Sequence, residues 1–435
     1  MLLIRNGRLI DPAQDRDDRL DLFADGGVIV QLAPRIDPGS LTGVSGGKRS
    51  ELRIVDAAGA VVTPGFIDMH THLREPGFES KETIVTGCNA AAAGGFTAVA
   101  CMPNTNPVND NPVVTTYINA RAREQGCVRV YPIGAITRGA HGESLTDMGA
   151  LKEAGIVAVS DDGEPVENAE IMRRALEYVK HFSLPVIAHC EEKSLAADGV
   201  MHEGAVSTRL GLPGIPSAAE DVMAARDVIL AKMTGSRLHI AHVSTAGAVE
   251  IIRQAKARGV SVTGEATPHH FTLTDEAVGA FDANAKVNPP LRSSNDREAV
   301  RKGLKDGTIE VIATDHAPHT AGDKDTEYAS AANGIAGLET AVSLTLHELV
   351  HAGIITLSQA IARLSTNPAR ILNVSGGTLT EGSVADITVL DMDRECTVNP
   401  AQWKSKSRNT PFAGRLLRGG PIMTIVGGTV VWEIR

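Results

Sequence analysis

Along the middle of the chain a short apolar or β-branched run ends in polar residues, and a helix-like stretch follows. This unit recurs eight times. The runs are FIDMHTH (66–72), FTAVACMPNT (96–105), VRVYPIGAIT (128–137), GIVAVSDDG (155–163), PVIAHCE (185–191), LHIAHVST (238–245), VSVTGEATPHH (260–270) and IEVIATDHAPH (309–319). Between them lie segments such as ENAEIMRRALEYVKHF (167–182) and SAAEDVMAARDVILAKM (217–233), whose apolar residues recur at helical spacing. Strand and helix in alternation predict βαβ units around a parallel sheet. Eight units in about 250 residues match the count of a (β/α)8 barrel. A doubly wound open sheet would more often carry a Gly-rich phosphate loop after its first strand, and neither G-x-G-x-x-G nor G-x-x-x-x-G-K stands there. All eight run ends carry His, Asp, Asn, Thr or Glu, where a barrel places its chemistry. The expected fold class is α/β, a TIM-like (β/α)8 barrel over residues 63–375.

The flanks are patterned differently. Residues 1–62 and 376–435 alternate strand-like runs with turns and hold no long helix. Neither is large enough to bury a good core alone, so both are expected to pair into one small composite β-sandwich beside the barrel. GSLTGVSGGKRSE (39–51) is expected to be a surface loop. TAGDKDTEYASAANG (320–334), just past the eighth run, is a long connection of the kind that often serves as a lid.

Composition narrows the partners. The 435 residues carry a formal net charge of −10, which argues against nucleic acid, since phosphate binding wants a basic surface. Five scattered cysteines form no C-x-x-C pair, so a disulfide scaffold is not expected and a reducing compartment fits. The start, MLLIRNGRLIDPAQDRDD, meets charge at once and has no leader-like apolar region. No run approaches the roughly 18 apolar residues of a membrane span. A cytoplasmic protein without a membrane partner is expected.

The strand ends suggest a metal site. Residues two apart in a strand share a face, so His70 and His72 point the same way. His189 ends the fifth run, His242 the sixth and Asp315 the eighth, while Asp161 and Asp162 end the fourth. Imidazoles and carboxylates converging at one mouth suit one or two divalent ions, with Zn²⁺ the expected metal. Buried without partners, such groups would cost several kcal/mol, on the order of 2–7 each. Asp161 and Asp162 face opposite sides of the strand, so only one can join the cluster, and spacing does not choose between them. His239 has the opposite parity to His242 and is expected to face the helical shell. His141, His181 and His202 are expected in solvated loops or on helix surfaces. His269 and His270 have no evident partner, and a structural role is as open to them as a functional one. HELVH (347–351) matches the H-E-x-x-H protease motif. No third ligand follows it, and two histidines on the surface of an outer helix are expected instead.

HTHLREPG, MPNTNP, SDDG, AHCE, HVST, VNPPLR and ATDHAPH together resemble the amidohydrolase superfamily, and within it the bacterial type I dihydroorotases. The likeness covers nearly the whole chain. It implies that His70 and His72 bind the more buried ion with Asp315, and that His189 and His242 bind the second. Many relatives bridge the ions with a carboxylated lysine on the fourth strand. VAVSDDG has no lysine, and the resemblance puts Asp162 in that place, unlike the hydantoinases, dihydropyrimidinases and allantoinases. It also implies that Arg74, Asn104 and His319 hold a substrate carboxylate, with Asn288 on the ring; an Arg fork suits such an anion. The reaction implied is the reversible interconversion of N-carbamoyl-L-aspartate and (S)-dihydroorotate in de novo pyrimidine biosynthesis, with Asp315 as general base and acid. A hydantoinase- or allantoinase-type cyclic amidase is the alternative. Another is a non-catalytic partner of aspartate transcarbamoylase. The resemblance leaves room for a homodimer or a transcarbamoylase complex, the latter if 320–334 requires ordering from outside.

Overall fold

A computed structural model describes residues 1–41 and 52–434. Most of the Gly-rich stretch expected as a surface loop, residues 42–51, lies outside the described residues.

Each of the eight runs contributes one strand to a single parallel sheet. The strands are Phe66–Thr71, Phe96–Cys101, Arg129–Gly134, Ala158–Val159, Val186–Ala188, Leu238–Ile240, Val262–Ala266 and Val311–Ile312, paired in sequence order. The eighth returns to the first through a parallel bridge between Thr71 and His316, with His72 N donating to His316 O at 2.9 Å. Asp68 helps to close this seam by accepting from Thr314 N at 3.0 Å and Thr314 Oγ1 at 2.5 Å. The sheet is therefore a closed (β/α)8 barrel.

Alternation within the strands sorts two cores. Val186, Ala188, Leu238 and Ile240 pack with helical residues such as Leu176, Val249 and Ile252 in one large cluster. Ile187 belongs to a second, with Met69, Ala100, Ile133, Ala158 and Val311. The helix expected within 167–182 runs Ala169–Val179 and buries Met172, Ala175, Leu176 and Val179, a stripe at helical period. The helix expected at 217–233 runs Ala218–Thr234. Several helices between the strands start on a capping side chain: Thr83, Asn111, Thr245 and Ser293 each accept from a first-turn amide.

The termini build two further sheets. One has four strands in the order Val28–Ala33, Asp21–Asp25, Leu2–Arg5, Arg53–Asp56. The other has six: Thr429–Glu433, Leu416–Val426, Ile387–Thr397, Val61–Pro64, Arg8–Asp11 and Arg16–Arg19. Leu2, Ile4, Leu22 and Val62 from the N-terminal part share one buried cluster with Ile387, Val389 and Ile425 from the C-terminal part. Neither end completes this small sandwich without the other.

HELVH sits where the helix Ala341–Thr345 continues into a π turn, Leu346–Val350. His347 Nδ1 accepts from Arg418 N at 3.1 Å, and His351 Nε2 donates to Met392 O at 2.9 Å. Both histidines are spent docking this helix on the C-terminal sheet.

Candidate active site

The six expected ligands converge at the C-terminal mouth of the barrel. His70 and His72 bracket the end of the first strand, and their Nε2 atoms face Asp162 at 3.3 and 3.5 Å. His189 and His242 follow the fifth and sixth strands. His189 Nδ1 lies 2.9 Å from His242 Nε2, and the two atoms lie 3.8 and 3.6 Å from Asp162 Oδ1. Two buried three-residue groups of metal-ligand type result, His70–His72–Asp162 and Asp162–His189–His242, and Asp162 belongs to both. Asp315 Oδ1 stands 3.0 Å from His72 Nε2 and 3.5 Å from His70 Nε2. His70 Nε2 and Asp162 Oδ1 are buried with no hydrogen-bond partner among the described residues. Such orphaned donors and acceptors cost free energy unless something satisfies them, and imidazoles with a shared carboxylate suit divalent cations. The residues present fit a metal pair.

The neighbouring Asp161 takes the other direction. Its carboxylate accepts from Ile136 N at 2.7 Å, Thr137 N at 3.0 Å and the Thr137 hydroxyl. It anchors the third strand end, and Asp162 alone turns into the mouth. Burial works against charge on Asp162 and Asp315, but His70 and the other site histidines outweigh it and draw both carboxyls well below the ordinary range. Three site residues, Arg74, His242 and Asp315, have left-handed φ values of 64°, 32° and 47°. Such backbone costs on the order of 1–3 kcal/mol each and persists where the surroundings over-determine it.

Behind the ligands lies a buried layer that the strand-end pattern does not reveal. His70 Nδ1 donates to Glu265 Oε1 at 2.5 Å, and Glu265 Oε2 accepts from His239 Nε2 at 3.1 Å. Glu265 Oε1 also accepts from His242 N at 3.2 Å. Burial would raise the Glu265 carboxyl, but His70 and His239 bring it down to about 2. His239 therefore lies inside the barrel, contrary to the expected outward orientation. The parity count fails because the sixth strand ends at Ile240 and His242 adopts positive φ, which breaks the alternation. The signal available in sequence was Glu265 itself, the one charged residue in its strand.

The other histidines separate cleanly. His141 and His181 are exposed as expected, whereas His202 is buried, 3.5 Å from Arg292 Nη1. His270 is structural, bonded to Thr267 Oγ1 at 2.8 Å and Pro289 O at 3.0 Å. His269 is buried, and its Nε2 has no hydrogen-bond partner among the described residues.

A cavity of about 240 Å³ opens over these two groups of ligand type, and its walls include Arg74, Asn104, Asn288 and His319. Arg74 Nε donates to Pro318 O at 3.2 Å, and Nη2 lies 3.4 Å from His319 Nε2. Burial lowers the Arg74 guanidinium to about 10 against the pull of Asp315 and Asp162, which leaves it a cation near neutrality. Asn104 is already engaged: Oδ1 accepts from His72 Nδ1 at 2.9 Å, and Nδ2 donates to Asp162 O at 3.3 Å. It aims His72 as well as lining the cavity. Asn288 Nδ2 donates to Glu191 Oε2 at 2.6 Å, while its Oδ1 is buried without a hydrogen-bond partner among the described residues.

The connection 320–334, expected as a lid, is pinned by the chain itself. Lys324 Nζ donates to Ala283 O at 2.8 Å and Ala332 O at 2.7 Å, and Lys286 Nζ to Ala329 O and Ala331 O, both at 2.8 Å.

Solved structures share this architecture over almost the whole chain. They include L-hydantoinase from Arthrobacter aurescens (TM-score 0.87, 24% identity, 99% of this chain and 96% of that one). Dihydropyrimidinase from Brevibacillus agri NCHU1002 is similar (TM-score 0.84, 23% identity, 99% and 95%). The fold is that of the amidohydrolase-type barrels. A family model described as dihydro-orotase-like matches residues 59–248. The dihydroorotase of Pelotomaculum thermopropionicum is 58% identical over 434 residues, covering 100% of this chain and 99% of that one. That of Geobacter metallireducens is 55% identical over 432 residues, covering 99% of each. The chain belongs to the dihydroorotase family.

Proposed function

We propose that the protein interconverts N-carbamoyl-L-aspartate and (S)-dihydroorotate, with zinc as its metal, in cytoplasmic pyrimidine synthesis. The whole-length likeness to chains named dihydroorotase carries this reading. The arrangement of the site supports it: two ligand groups share Asp162 beneath a small cavity that presents a half-buried arginine. The fourth strand offers Asp162 where lysine-bridged cyclic amidases would need a lysine. The division at residues 62/63 and 375/376, with the barrel between, belongs to the same proposal.

His70 and His72 with Asp162, and His189 and His242 with Asp162, would hold the ions, and Asp315 would complete the first group. Bound divalent metal supplies an acidified water and a polarised carbonyl. The chain's own residues do the rest. Arg74 and His319 grip the substrate carboxylate and orient the ring. Asn288 Oδ1 is free to accept from a ring N–H. Asp315, anionic at neutral pH and facing the cavity, takes the proton of the attacking water on its carboxylate. As the C–N bond of the ring amide breaks, it returns that proton to the departing nitrogen. In the reverse direction the same carboxylate takes the proton of the attacking nitrogen and returns it to the departing hydroxide, which leaves as water.

The test is turnover of dihydroorotate and of carbamoyl aspartate by zinc-loaded protein, with a 5-substituted hydantoin alongside. Turnover of both dihydroorotase substrates is expected. Activity on hydantoin alone, or none after metal loading, would overturn the assignment.

A further inference from the structure

Asn409 belongs to the segment linking the long strands Ile387–Thr397 and Leu416–Val426 of the terminal sandwich. It is nevertheless buried against the barrel mouth, with only 5% of its surface exposed. Its side chain spends every polar atom on the two strands of chain that wall the cavity. Oδ1 accepts from His319 N at 3.2 Å, while Nδ2 donates to Ala317 O at 3.1 Å and Gly334 O at 3.0 Å. Its backbone O accepts from Ala336 N at 2.9 Å. Two residues earlier, Ser407 Oγ donates to His319 O at 2.7 Å.

These bonds bracket one peptide. Pro318 O is the acceptor that aims the Arg74 guanidinium, and the residues on either side of Pro318 are held by Asn409 and Ser407. Gly334 lies so close that a Cβ there would stand 2.6 Å from Ala317 Cβ, at a φ of 142°, so the wall has no slack for another residue. An amide is the one side chain that offers both the acceptor and the two donors this crossing requires.

We propose that Asn409, with Ser407, is a positioning residue for substrate binding: the terminal segment sets the carboxylate-gripping pair Arg74–His319 through the 317–319 peptide. This rests on the functional reading above, in which that pair holds the substrate carboxylate. Preorganisation of this kind lowers the cost of binding an anion without touching the proton transfer at Asp315.

Steady-state kinetics of the full-length, zinc-loaded protein test it. In Asn409→Asp the acceptor remains and both Nδ2 donors are lost. The expected result is a KM for dihydroorotate raised about tenfold with kcat within about twofold of wild type, the signature of lost binding rather than lost chemistry. In Arg74→Ala the same change should be larger, and adding N409D to R74A should raise KM by less than N409D does alone, since the two share the Pro318 contact while Asn409 also holds His319. Ser407→Ala removes a single bond to His319 and is read the same way if N409D does not fold. Unchanged KM in the folded variants, or KM effects that multiply in the double variant, would overturn the positioning role while leaving the functional reading intact. A wild-type protein without dihydroorotate turnover would overturn both.

Discussion

His70 Nδ1 and Glu265 Oε1 lie 2.5 Å apart inside the barrel, and this contact decides what His70 can bind. With Nδ1 committed as a donor to an ionised carboxylate, the ring turns Nε2 toward Asp162, the atom left to ligate an ion. Carboxylate–histidine pairing of this kind orients a metal-ligating imidazole and raises its basicity. Removing the charge while keeping the shape, as in Glu265→Gln, should weaken metal binding about 10- to 100-fold. Competition with a chelator of known affinity measures this directly. Wild-type metal retention in that variant would show that Glu265 only fills space.

Adjacent aspartates should separate under mutation. Asp162→Asn removes the carboxylate common to both ligand groups, and elemental analysis should find the bound metal reduced by at least half. Asp161→Asn should keep its metal and lose stability instead, by about 1–3 kcal/mol, because the third strand end loses a charged acceptor. Thermal unfolding beside metal content distinguishes the two, and an exchange of these phenotypes would reverse the orientation assigned here.

Asp315→Asn is expected to fold and to lose kcat by roughly 10²–10⁴-fold, the range attributed to a positioned general base. The variant should still bind carbamoyl aspartate, which calorimetry can report. A rate close to wild type would remove Asp315 from the proton transfer.

His319 should not titrate in the working range. Burial, followed by the charges of Arg74, Lys81 and Lys324, lowers its pKa from 6.5 to about 3. A histidine depressed in the folded state keeps its contribution to stability above about 6.5 and loses it as the pH falls toward about 3. The KM profile should therefore show no inflection from this residue between about pH 5 and 8. His319→Asn should raise KM yet preserve the profile. A step near 6.5 that disappears in that variant would contradict the neutral ring.

The barrel and the convergence of most of the candidate ligands at its mouth were legible in the sequence because both depend on local order. Eight runs of strand-forming residues separated by helical-period segments predict a closed parallel sheet without knowledge of any long-range contact. The same pattern places His70, His72, His189, His242 and Asp315 at strand ends, hence at one mouth. Matters that depend on where the chain turns were not legible. Asp161 and Asp162 are equivalent in sequence, and only the amides of Ile136 and Thr137 make one of them an anchor. His239 faces inward against the parity count because strand parity does not carry across a residue with positive φ, here His242. Glu265 stood in plain view as a buried charge, but its partner His70 is 195 positions away. Asn409 lay in a terminal segment, more than 70 residues beyond the last cavity-lining position, Gly334. By itself the sequence determined which groups this protein brings to its mouth, since periodicity and strand ends are local properties. The tertiary structure alone decided which of them are aimed, and by what, since a hydrogen bond between distant residues exists only once the chain has closed around it.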